Sequence, residues 1–449
     1  MKITNIFRNK SQNGEKARRS REINKRSYFD KIVRTGMFPN YLLIEPTNFC
    51  NLTCPMCPRN LMTREVGYMD FSLFQKIIDE IGGKVDFIYL HFFGESLFHP
   101  KIEDFINYAG KKGTTLSLST NATILNEKNR EKIFNSNLDH LIISLDSLQK
   151  ETYEKIRTGG DFQKTQENLK AFLDEYQDLK PDLNITIQAI CLDENKPELE
   201  SFVRCFQNID GVHVTLKNYH SFANQMAPGP KGTPMNYHLC IEPWRGMVIT
   251  WDGRVVPCCN DYDCKCVLGN ANVSTIQDIW NSPEYQHFRS LHTSNQKDTI
   301  PLCKHCDPPY ESLNISDLFS RFNPSFFEMN CYFNWGIYSG EISDEKKFFW
   351  TEKNFEILVQ DRSRDVTFFF RNSSPFSDGI NADVYLFDKK VKAIKIIKRT
   401  KVFLETPPDK KGRLLRYRFV LDKTWCPKDF NETSEDTREL GIIIEDIVN

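Results

Sequence analysis

Three cysteines lie within one short segment, Cys50-Asn-Leu-Thr-Cys54-Pro-Met-Cys57, which follows an apolar run that begins at Tyr41. On a loop after a strand, this C-x3-C-x2-C spacing can ligate three irons of a cubane cluster and leaves the fourth iron without a protein ligand. Electron-transfer clusters are closed by four cysteines, so a set of three indicates that another molecule occupies the open iron. The alternatives are incidental cysteines or a zinc site, although structural zinc usually takes four nitrogen or sulfur ligands.

The composition is ordinary for a globular protein. The chain has 449 residues, a net charge of −1, 27% charged residues and 40% hydrophobic residues. This length favours two or three domains, and the charge gives no reason to expect nucleic acid or a membrane surface as a partner. We also expect no membrane span, because no run of 18 apolar residues occurs. Fourteen cysteines without a secretion signal predict metal or redox ligands in a reducing cytoplasm.

The pattern of apolar residues divides the chain into four predicted regions. Residues 1–36 are polar and basic, which predicts a solvated arm or a first helix packed on the outside of the next domain, and only weakly a nucleic-acid arm. Over residues 37–222, six strand-like runs alternate with amphipathic helical stretches. Such alternation predicts an α/β fold with a parallel sheet built from right-handed crossovers, and six strands fit a partial (β/α)6 barrel. The chemistry of such sheets lies at the carboxyl ends of the strands, where the cysteine segment is placed.

The cysteine spacing in this context resembles the radical S-adenosylmethionine (SAM) superfamily. The resemblance implies a 4Fe-4S cluster at Cys50, Cys54 and Cys57, with SAM bound to the open iron. Phe93-Gly94-Glu95-Ser96 is similar to the family's Gly-Gly-Glu-Pro motif, which holds the amino group of SAM, although Phe and Ser replace the first Gly and the Pro.

Three further residues match family positions that contact SAM. Asn121 lies in a segment that looks like the Thr-Asn-Gly motif, and Ser144 and Arg157 match contacts to the ribose and carboxylate of SAM. A guanidinium is well suited to pair with a carboxylate. The alternatives are a solvated helix-end cation for Arg157 and a turn residue for Asn121.

A second cysteine set follows the barrel, at Cys240, Cys258, Cys303 and Cys306. An Asp-Gly turn at Gly253 predicts a β-hairpin that brings Cys240 and Cys258 together. The region 223–321 resembles the twitch domain, a shortened SPASM domain, which implies one auxiliary 4Fe-4S cluster with four cysteine ligands. Zinc is the competing metal, because four thiolates suit either.

The other cysteines receive plainer predictions. Cys259, Cys264 and Cys266 are expected to be structural or incidental thiols. Cys191 and Cys205 fall within a predicted strand and a predicted helix, so we expect them in the core.

Short strands between polar turns fill residues 322–449 and predict an antiparallel β-sandwich. This region loosely resembles β-rich modules of enzymes in bacterial surface-polysaccharide pathways. A scaffold or dimerisation role is as plausible as glycan binding.

The family resemblance implies reductive cleavage of SAM to a 5′-deoxyadenosyl radical, which abstracts hydrogen from a substrate. With one auxiliary cluster, the leading reaction is oxidation of a sugar, aminocyclitol or glycan-linked substrate, with flavodoxin or ferredoxin as reductant. Lys217, Tyr219 and His220 follow the sixth strand and are candidate catalytic or anchoring residues, or ordinary loop residues. The alternatives are a peptide or protein maturase, and a non-enzymatic glycan-binding protein with vestigial clusters.

Overall fold

The structure is a computed structural model that describes most of the chain. The described residues are 15–219, 221–223, 225–226, 239–304, 306, 331–337, 341–343, 346–360, 365–386, 389–405, 414–430 and 440–448. The chain divides into two compact units, residues 1–312 and 313–449. The finer domain boundaries given above remain predictions.

One large sheet organises the first unit. Its strands are β1 (Tyr41–Ile44), β2 (Phe87–Tyr89), β3 (Thr115–Thr120), β4 (His140–Ser144), β5 (Asn184–Cys191), β6 (Val212–Asn218), β7 (Gly246–Ile249), β8 (Arg254–Val256) and β9 (Gly269–Asn270). They lie in the order β6-β5-β4-β3-β2-β1-β7-β8-β9. The strands β1 to β6 are parallel neighbours, β7 is parallel to β1, and β8 and β9 are antiparallel. The predicted hairpin, β7–β8, therefore extends the barrel sheet itself.

Helices connect the parallel strands. The helices of this unit are α1 (Glu15–Phe29), α2 (Phe71–Ile81), α3 (Ile102–Lys111), α4 (Glu127–Phe134), α5 (Lys150–Ile156), α6 (Phe162–Leu179), α7 (Leu199–Phe206), α8 (Glu242–Arg245), α9 (Ile276–Trp280), α10 (Pro283–Thr293) and α11 (Pro301–Lys304). In α2, apolar residues at helical spacing, among them Phe74, Ile77 and Ile81, are buried. The Asp161 side chain caps α6 by accepting a hydrogen bond from the backbone of Lys164. Within the described residues, no helix is both long enough and apolar enough to cross a bilayer.

The two faces of the parallel strands differ in polarity. Leu42, Ile88 and Leu116 are completely buried in the hydrophobic core of this unit, which the helices share. The opposite face carries polar side chains, because successive strand residues point to opposite sides. There His140 lies 3.0 Å from Ser117 Oγ through Nδ1 and 2.8 Å from Thr186 Oγ1 through Nε2. These contacts link β3, β4 and β5 across the inner face of the barrel.

The helix α1 packs against the edge of the sheet where β1 and β2 begin. Asn24 Nδ2 donates to the carbonyl of Phe38 at 2.8 Å, and Arg21 pairs with Asp86. Tyr28 donates to the carbonyl of Leu239 at 2.7 Å. Of the two structures expected for residues 1–36, residues 15–29 thus form the packed helix.

The second unit is an antiparallel β structure. Its strands within the described residues are β10 (Cys331–Ile337), β11 (Glu341–Ser343), β12 (Lys346–Gln360), β13 (Val366–Arg371), β14 (Ile380–Leu386), β15 (Lys389–Ile396), β16 (Arg399–Leu404), β17 (Leu414–Leu421) and β18 (Ile443–Val448). A short helix, α12 (Pro427–Phe430), follows β17. The first part of β12 pairs with β18 and its last part pairs with β17, so this strand belongs to two sheets. The Phe419 ring lies 4.8 Å from the Phe355 ring and 5.3 Å from the Phe368 ring in this shared core. The predicted combination of a partial barrel and a C-terminal β-sandwich is confirmed.

Candidate active site

The three clustered cysteines lie on the loop that follows β1. Cys50, Cys54 and Cys57 share one apolar cluster with Leu52, Met56 and Ile156, and Tyr219 packs against it. The backbone of Thr53 donates to the carbonyl of Thr158 at 2.9 Å, which fixes the loop against the turn after α5. The fold thus places Tyr219, one of the predicted site residues, against the cysteine loop.

Polar N–H groups point at two of the three sulfur atoms. Asn121 Nδ2 lies 3.8 Å from Cys50 Sγ, and Arg157 Nη1 lies 4.0 Å from Cys54 Sγ. Burial raises the pKa of Cys50 to about 11 and also raises the pKa of Cys57. A bound metal deprotonates such thiols because its charge stabilises the thiolate.

Gly94 is pressed against the backbone at the start of the cysteine loop. Its φ is +98°, and a Cβ at this position would lie 2.4 Å from the carbonyl oxygen of Thr47. The next residue continues the contact, because the Glu95 backbone donates to the carbonyl of Phe49 at 2.7 Å. Only glycine combines this φ with so close an approach. The motif that contains Gly94 and Glu95 therefore contacts the cysteine loop through its backbone.

The Glu95 carboxylate is almost completely buried. It accepts hydrogen bonds from the backbone of Asn121 at 2.7 Å and of Leu97 at 3.3 Å. Burial raises the pKa of Glu95 to about 7, although these hydrogen bonds oppose the shift. Glu95 and Asn121 are thus hydrogen-bonded to each other, and the Asn121 amide lies next to Cys50.

Arg157 forms a buried ion pair with Asp146. The Arg157 Nε and Asp146 Oδ2 atoms are 2.6 Å apart, with side-chain exposures of 11% and 0%. Burial alone lowers the pKa of Arg157, but Asp146 and Cys54 outweigh it and the net pKa is raised. The interpretation of Arg157 as a solvated helix-end cation is therefore wrong.

Asp146 was missed by the sequence analysis as a site residue. It follows β4 with φ +70°, and its carboxylate also accepts from the Ile190 backbone at 2.8 Å. Ser144, at the end of β4, accepts a hydrogen bond from Gln188 Nε2 at 2.6 Å. The signal available in the sequence was the position of the Asp146 carboxylate, which follows the end of β4 and precedes the predicted site residue Arg157.

The candidate substrate residues lie at the end of β6. Lys217 is exposed, yet the protein around it lowers the pKa of its ammonium group, chiefly by partial desolvation, and the nearby Cys259 and Asp146 oppose this shift. Cys259 follows β8, so residues from distant positions in the strand order approach each other. His220 lies outside the described residues.

The second cysteine set comes together from three separate segments. Burial raises the pKa of Cys258 well above its ordinary value, and the neighbouring thiols raise it further; they belong to Cys259, Cys306, Cys303 and Cys240. Cys306 Sγ accepts a hydrogen bond from Asn260 Nδ2 at 3.4 Å, and the Cys306 backbone donates to the carbonyl of Cys303.

The remaining cysteines fall into different environments. Cys264 is buried against Val248 and Val256, whereas Cys266 lies near Cys303. Cys205 is exposed, so its predicted core position is wrong, because it lies off the buried face of α7. Cys191 is half-buried at the end of β5.

A set of hydrogen bonds joins the loops that follow the two cysteine sets. Arg64 donates to both oxygens of the Glu45 carboxylate at 2.5 and 2.7 Å and to the Tyr262 carbonyl at 2.7 Å. The Thr63 backbone and hydroxyl donate to the Asp263 carboxylate at 2.6 and 2.8 Å. The segment after Cys57 is thus fixed to the segment after Cys258. No sequence motif signalled this connection.

Both cysteine sets fit iron–sulfur clusters. Thiolates are the ligands such clusters use, and each set has an amide or guanidinium N–H directed at a sulfur. Among the described residues, no group of three or more His, Cys, Asp or Glu side chains is arranged to hold a single metal ion.

Two family models match the chain. The radical SAM superfamily matches residues 44–205, and an iron–sulfur cluster-binding domain named SPASM matches residues 240–307. The second match begins at Cys240 and includes Cys303 and Cys306.

Curated relatives are similar over about three fifths of the chain. A tungsten-containing aldehyde ferredoxin oxidoreductase cofactor-modifying protein from Pyrococcus furiosus is 26% identical over 325 residues, which cover 59% of this chain and 86% of the relative. An S-adenosyl-L-methionine-dependent 2-deoxy-scyllo-inosamine dehydrogenase from Niallia circulans is 24% identical over 273 residues, covering 59% and 91%. A PqqA peptide cyclase from Gluconobacter oxydans is 25% identical over 309 residues, covering 60% and 83%.

Among solved structures, BtrN in complex with AdoMet and 2-DOIA is similar with a TM-score of 0.42 and 19% identity, covering 60% of this chain and 92% of BtrN. Streptococcus suis SuiB bound to the precursor peptide SuiA has a TM-score of 0.47 and 18% identity, covering 57% and 67%.

Proposed function

Because the chain belongs to the radical SAM superfamily and carries a SPASM domain, we propose that it is an oxidoreductase that dehydrogenates a sugar, aminocyclitol or glycan-linked substrate. When bound, the clusters and SAM supply a 5′-deoxyadenosyl radical by one-electron cleavage of SAM, and an acceptor for the electron that leaves the substrate radical. The substrate loses a hydrogen atom to the deoxyadenosyl group, a proton to a base and one electron. An alcohol carbon thereby becomes a carbonyl.

The observation that carries this proposal is the convergence at Cys258 of thiols from three segments, those of Cys240, Cys303 and Cys306 together with the adjacent Cys259. Four cysteine ligands close a cluster completely, so it cannot bind substrate through iron. A closed cluster beside a radical site is suited to accept an electron. We assign this auxiliary 4Fe-4S cluster to Cys240, Cys258, Cys303 and Cys306, and the SAM-binding cluster to the set of three.

Different side chains of this protein are proposed to contact different groups of SAM. The buried Glu95 carboxylate and the Asn121 amide lie beside Cys50 and suit the amino group of SAM. Arg157, held by Asp146, suits its carboxylate. Gly94 supplies the close backbone approach, and Ser144 offers a hydroxyl for the ribose.

Lys217 is our candidate for the base that removes the proton from the substrate radical. Its lowered pKa increases the share of neutral amine that can accept a proton at Nζ. Tyr219, next to the cysteine loop, and His220 are proposed to orient the substrate. Flavodoxin or ferredoxin is the proposed reductant.

The test is anaerobic incubation of the reconstituted enzyme with SAM, dithionite and candidate sugars, aminocyclitols and peptides. We expect 5′-deoxyadenosine with deuterium transferred from a labelled sugar or aminocyclitol, together with a product two mass units lighter. A variant with Cys258→Ala should still form 5′-deoxyadenosine but lose the oxidised product. Equal product from that variant would contradict the proposed role of the second cluster.

A peptide or protein maturase is the second candidate, and the similarity to a PqqA peptide cyclase supports it. Deuterium transfer from a labelled peptide, with none from any sugar or aminocyclitol, would favour this alternative. Formation of no 5′-deoxyadenosine under any condition would favour a binding protein with vestigial clusters.

A further inference from the structure

One edge of the second unit carries a high concentration of positive charge. The strands β15 and β16 follow each other in the chain and are the two end strands in the strand order of this unit. Residues 389–404, which run from the start of β15 to the end of β16, contain no aspartate or glutamate, although the whole chain has a net charge of −1. They contain seven exposed cations: Lys389, Lys390, Lys392, Lys395, Lys398, Arg399 and Lys401.

The two strands lie side by side at this edge. Lys392 Nζ on β15 donates to the carbonyl of Phe403 on β16 at 2.9 Å. Residues 389–393 are all exposed, although successive strand residues point to opposite sides, so this part of β15 extends beyond the core. Asp383, on β14, pairs with Lys390 at 2.7 Å and offsets one of the seven charges. Residues 389–404 thus form one continuous surface, which we call the basic edge.

The basic edge also exposes apolar side chains. Val391, Ile397 and Phe403 have exposures of 44%, 51% and 45%. Among the described side chains of the second unit, all the exposed large apolar ones lie in this segment. Lysine on an edge strand can serve to prevent pairing with another chain. That role does not explain the apolar side chains, because exposed apolar groups promote association.

We propose that the basic edge binds the surface of a membrane that contains anionic phospholipids. Lysine and arginine side chains are attracted to the negative surface of such a membrane. Apolar side chains beside them can enter the boundary between headgroups and acyl chains, which strengthens the contact. Val391 and Ile397 favour a membrane over a nucleic acid, because bases stack on aromatic side chains and gain little from aliphatic ones. Both cysteine sets belong to the first unit, so this inference does not depend on the proposed reaction.

The experiment measures binding of the full chain, reconstituted with its clusters, to vesicles by sedimentation. One set of vesicles contains phosphatidylcholine and phosphatidylserine in equal amounts, and the other contains phosphatidylcholine alone. We expect binding to the first set only, weakened by added salt. The double variant with Lys395→Gln and Lys398→Gln should bind about 25-fold more weakly, which is about fivefold for each lysine removed. Ile397→Ser should also bind these vesicles more weakly, because an apolar anchor is lost.

Matched controls remove equivalent side chains from α6 of the first unit. Lys164→Gln with Lys170→Gln removes two exposed lysines, and Leu179→Ser removes an apolar side chain that is 59% exposed. Both controls should bind the vesicles as the parent does, and thermal unfolding checks that every variant is folded. Absence of binding by the parent, or equal losses in the variants and their controls, would overturn the inference.

Two polyanions in solution, dextran sulfate and single-stranded DNA, test the competing partners. We expect Ile397→Ser to bind each polymer as the parent does, because an acyl-chain contact contributes nothing there. If Ile397→Ser binds the anionic vesicles as well as the parent does, the contact is purely electrostatic. That result would overturn the membrane surface as the partner and assign the basic edge to an acidic glycan or a nucleic acid, whichever polymer binds more tightly.

Discussion

The two cysteine sites of this protein are built in opposite ways. The first takes all its thiols from one loop and surrounds them with polar groups such as Asn121, Glu95 and Arg157. The second gathers thiols from three distant segments. The polar groups at the first set suit the proposed binding of SAM, and the thiols of the second set suit the proposed closed cluster.

The largest expected effect separates the two sites directly. Cys54→Ala should abolish 5′-deoxyadenosine formation, because the proposed SAM-binding cluster would lose one of its three thiolate ligands. Cys258→Ala should keep this activity and lose product oxidation. Iron analysis and product chromatography on both variants provide the measurement. Loss of 5′-deoxyadenosine in both variants to the same extent would remove the distinction between the sites.

Gly94 tests how tightly the first site is packed. Gly94→Ala should destabilise the protein by about 3 kcal/mol, because the new methyl group meets the Thr47 carbonyl while φ stays in the left-handed region. The matched control is Gly113→Ala, where φ is +73° but nothing lies within 4 Å. That variant should lose only about 1 kcal/mol. Urea unfolding of both variants measures the difference, and equal losses would show that the close contact is unimportant.

The Arg157–Asp146 pair tests whether the first site depends on a buried charge. Arg157→Ala should cost about 3 kcal/mol of stability, because it leaves the Asp146 carboxylate buried and unpaired. Adding Asp146→Asn should recover part of that loss, since the uncompensated charge is removed. A double-mutant cycle from chemical denaturation provides the coupling energy. If the losses of stability from the two substitutions are strictly additive, the ion pair contributes nothing to stability.

Glu95 predicts a pH dependence of stability that originates at the first site. Its pKa is raised to about 7 in the folded state, so folding takes up a proton between the unfolded value of 4.5 and pH 7. The stability contributed by protonated Glu95 is therefore complete below pH 4.5 and lost as the pH rises through 7. The loss should be on the order of 3 kcal/mol.

Glu95→Gln should abolish this component of the pH dependence, because the amide does not titrate. Urea unfolding of the protein and this variant at several pH values from 5 to 8 provides the test. The stability difference between them should change with pH in favour of the variant at high pH. A constant difference would contradict the raised pKa.

The structural features that were predicted correctly are those that depend on the spacing of neighbouring residues in the sequence. The three-cysteine loop, the strands β1 and β5 and the Asp-Gly hairpin each depend on residues close together in the chain, so their patterns were visible. The Glu45–Arg64 and Asp146–Arg157 pairs depend on tertiary contacts and carry no spacing signal.

Two further differences between the sequence-based prediction and the structure have a local cause. Cys205 was placed in the core because it lies in a helix, yet Phe202 and Phe206, four residues apart, define the buried face. Counting helical positions would have put Cys205 outside that face. In the second unit, β12 begins at Lys346 and continues through the polar residues 351–354, where no apolar run indicated a strand. Pairing with neighbouring strands, and not the residues themselves, sets its length.

The smallest expected effect concerns the connection between the two sites. Asp263→Ala removes the acceptor for the Thr63 backbone and hydroxyl, in a partly exposed position, and should cost about 1 kcal/mol. Arg64 and its contact with the Tyr262 carbonyl should keep the loops together, so both clusters should still assemble. Thr63→Val is the control, because it removes only the hydroxyl contact and should cost less. If Asp263→Ala instead prevents assembly of the second cluster while sparing the first, the two sites are coupled through this carboxylate, and the contrast between an independent open site and an independent closed one must be given up.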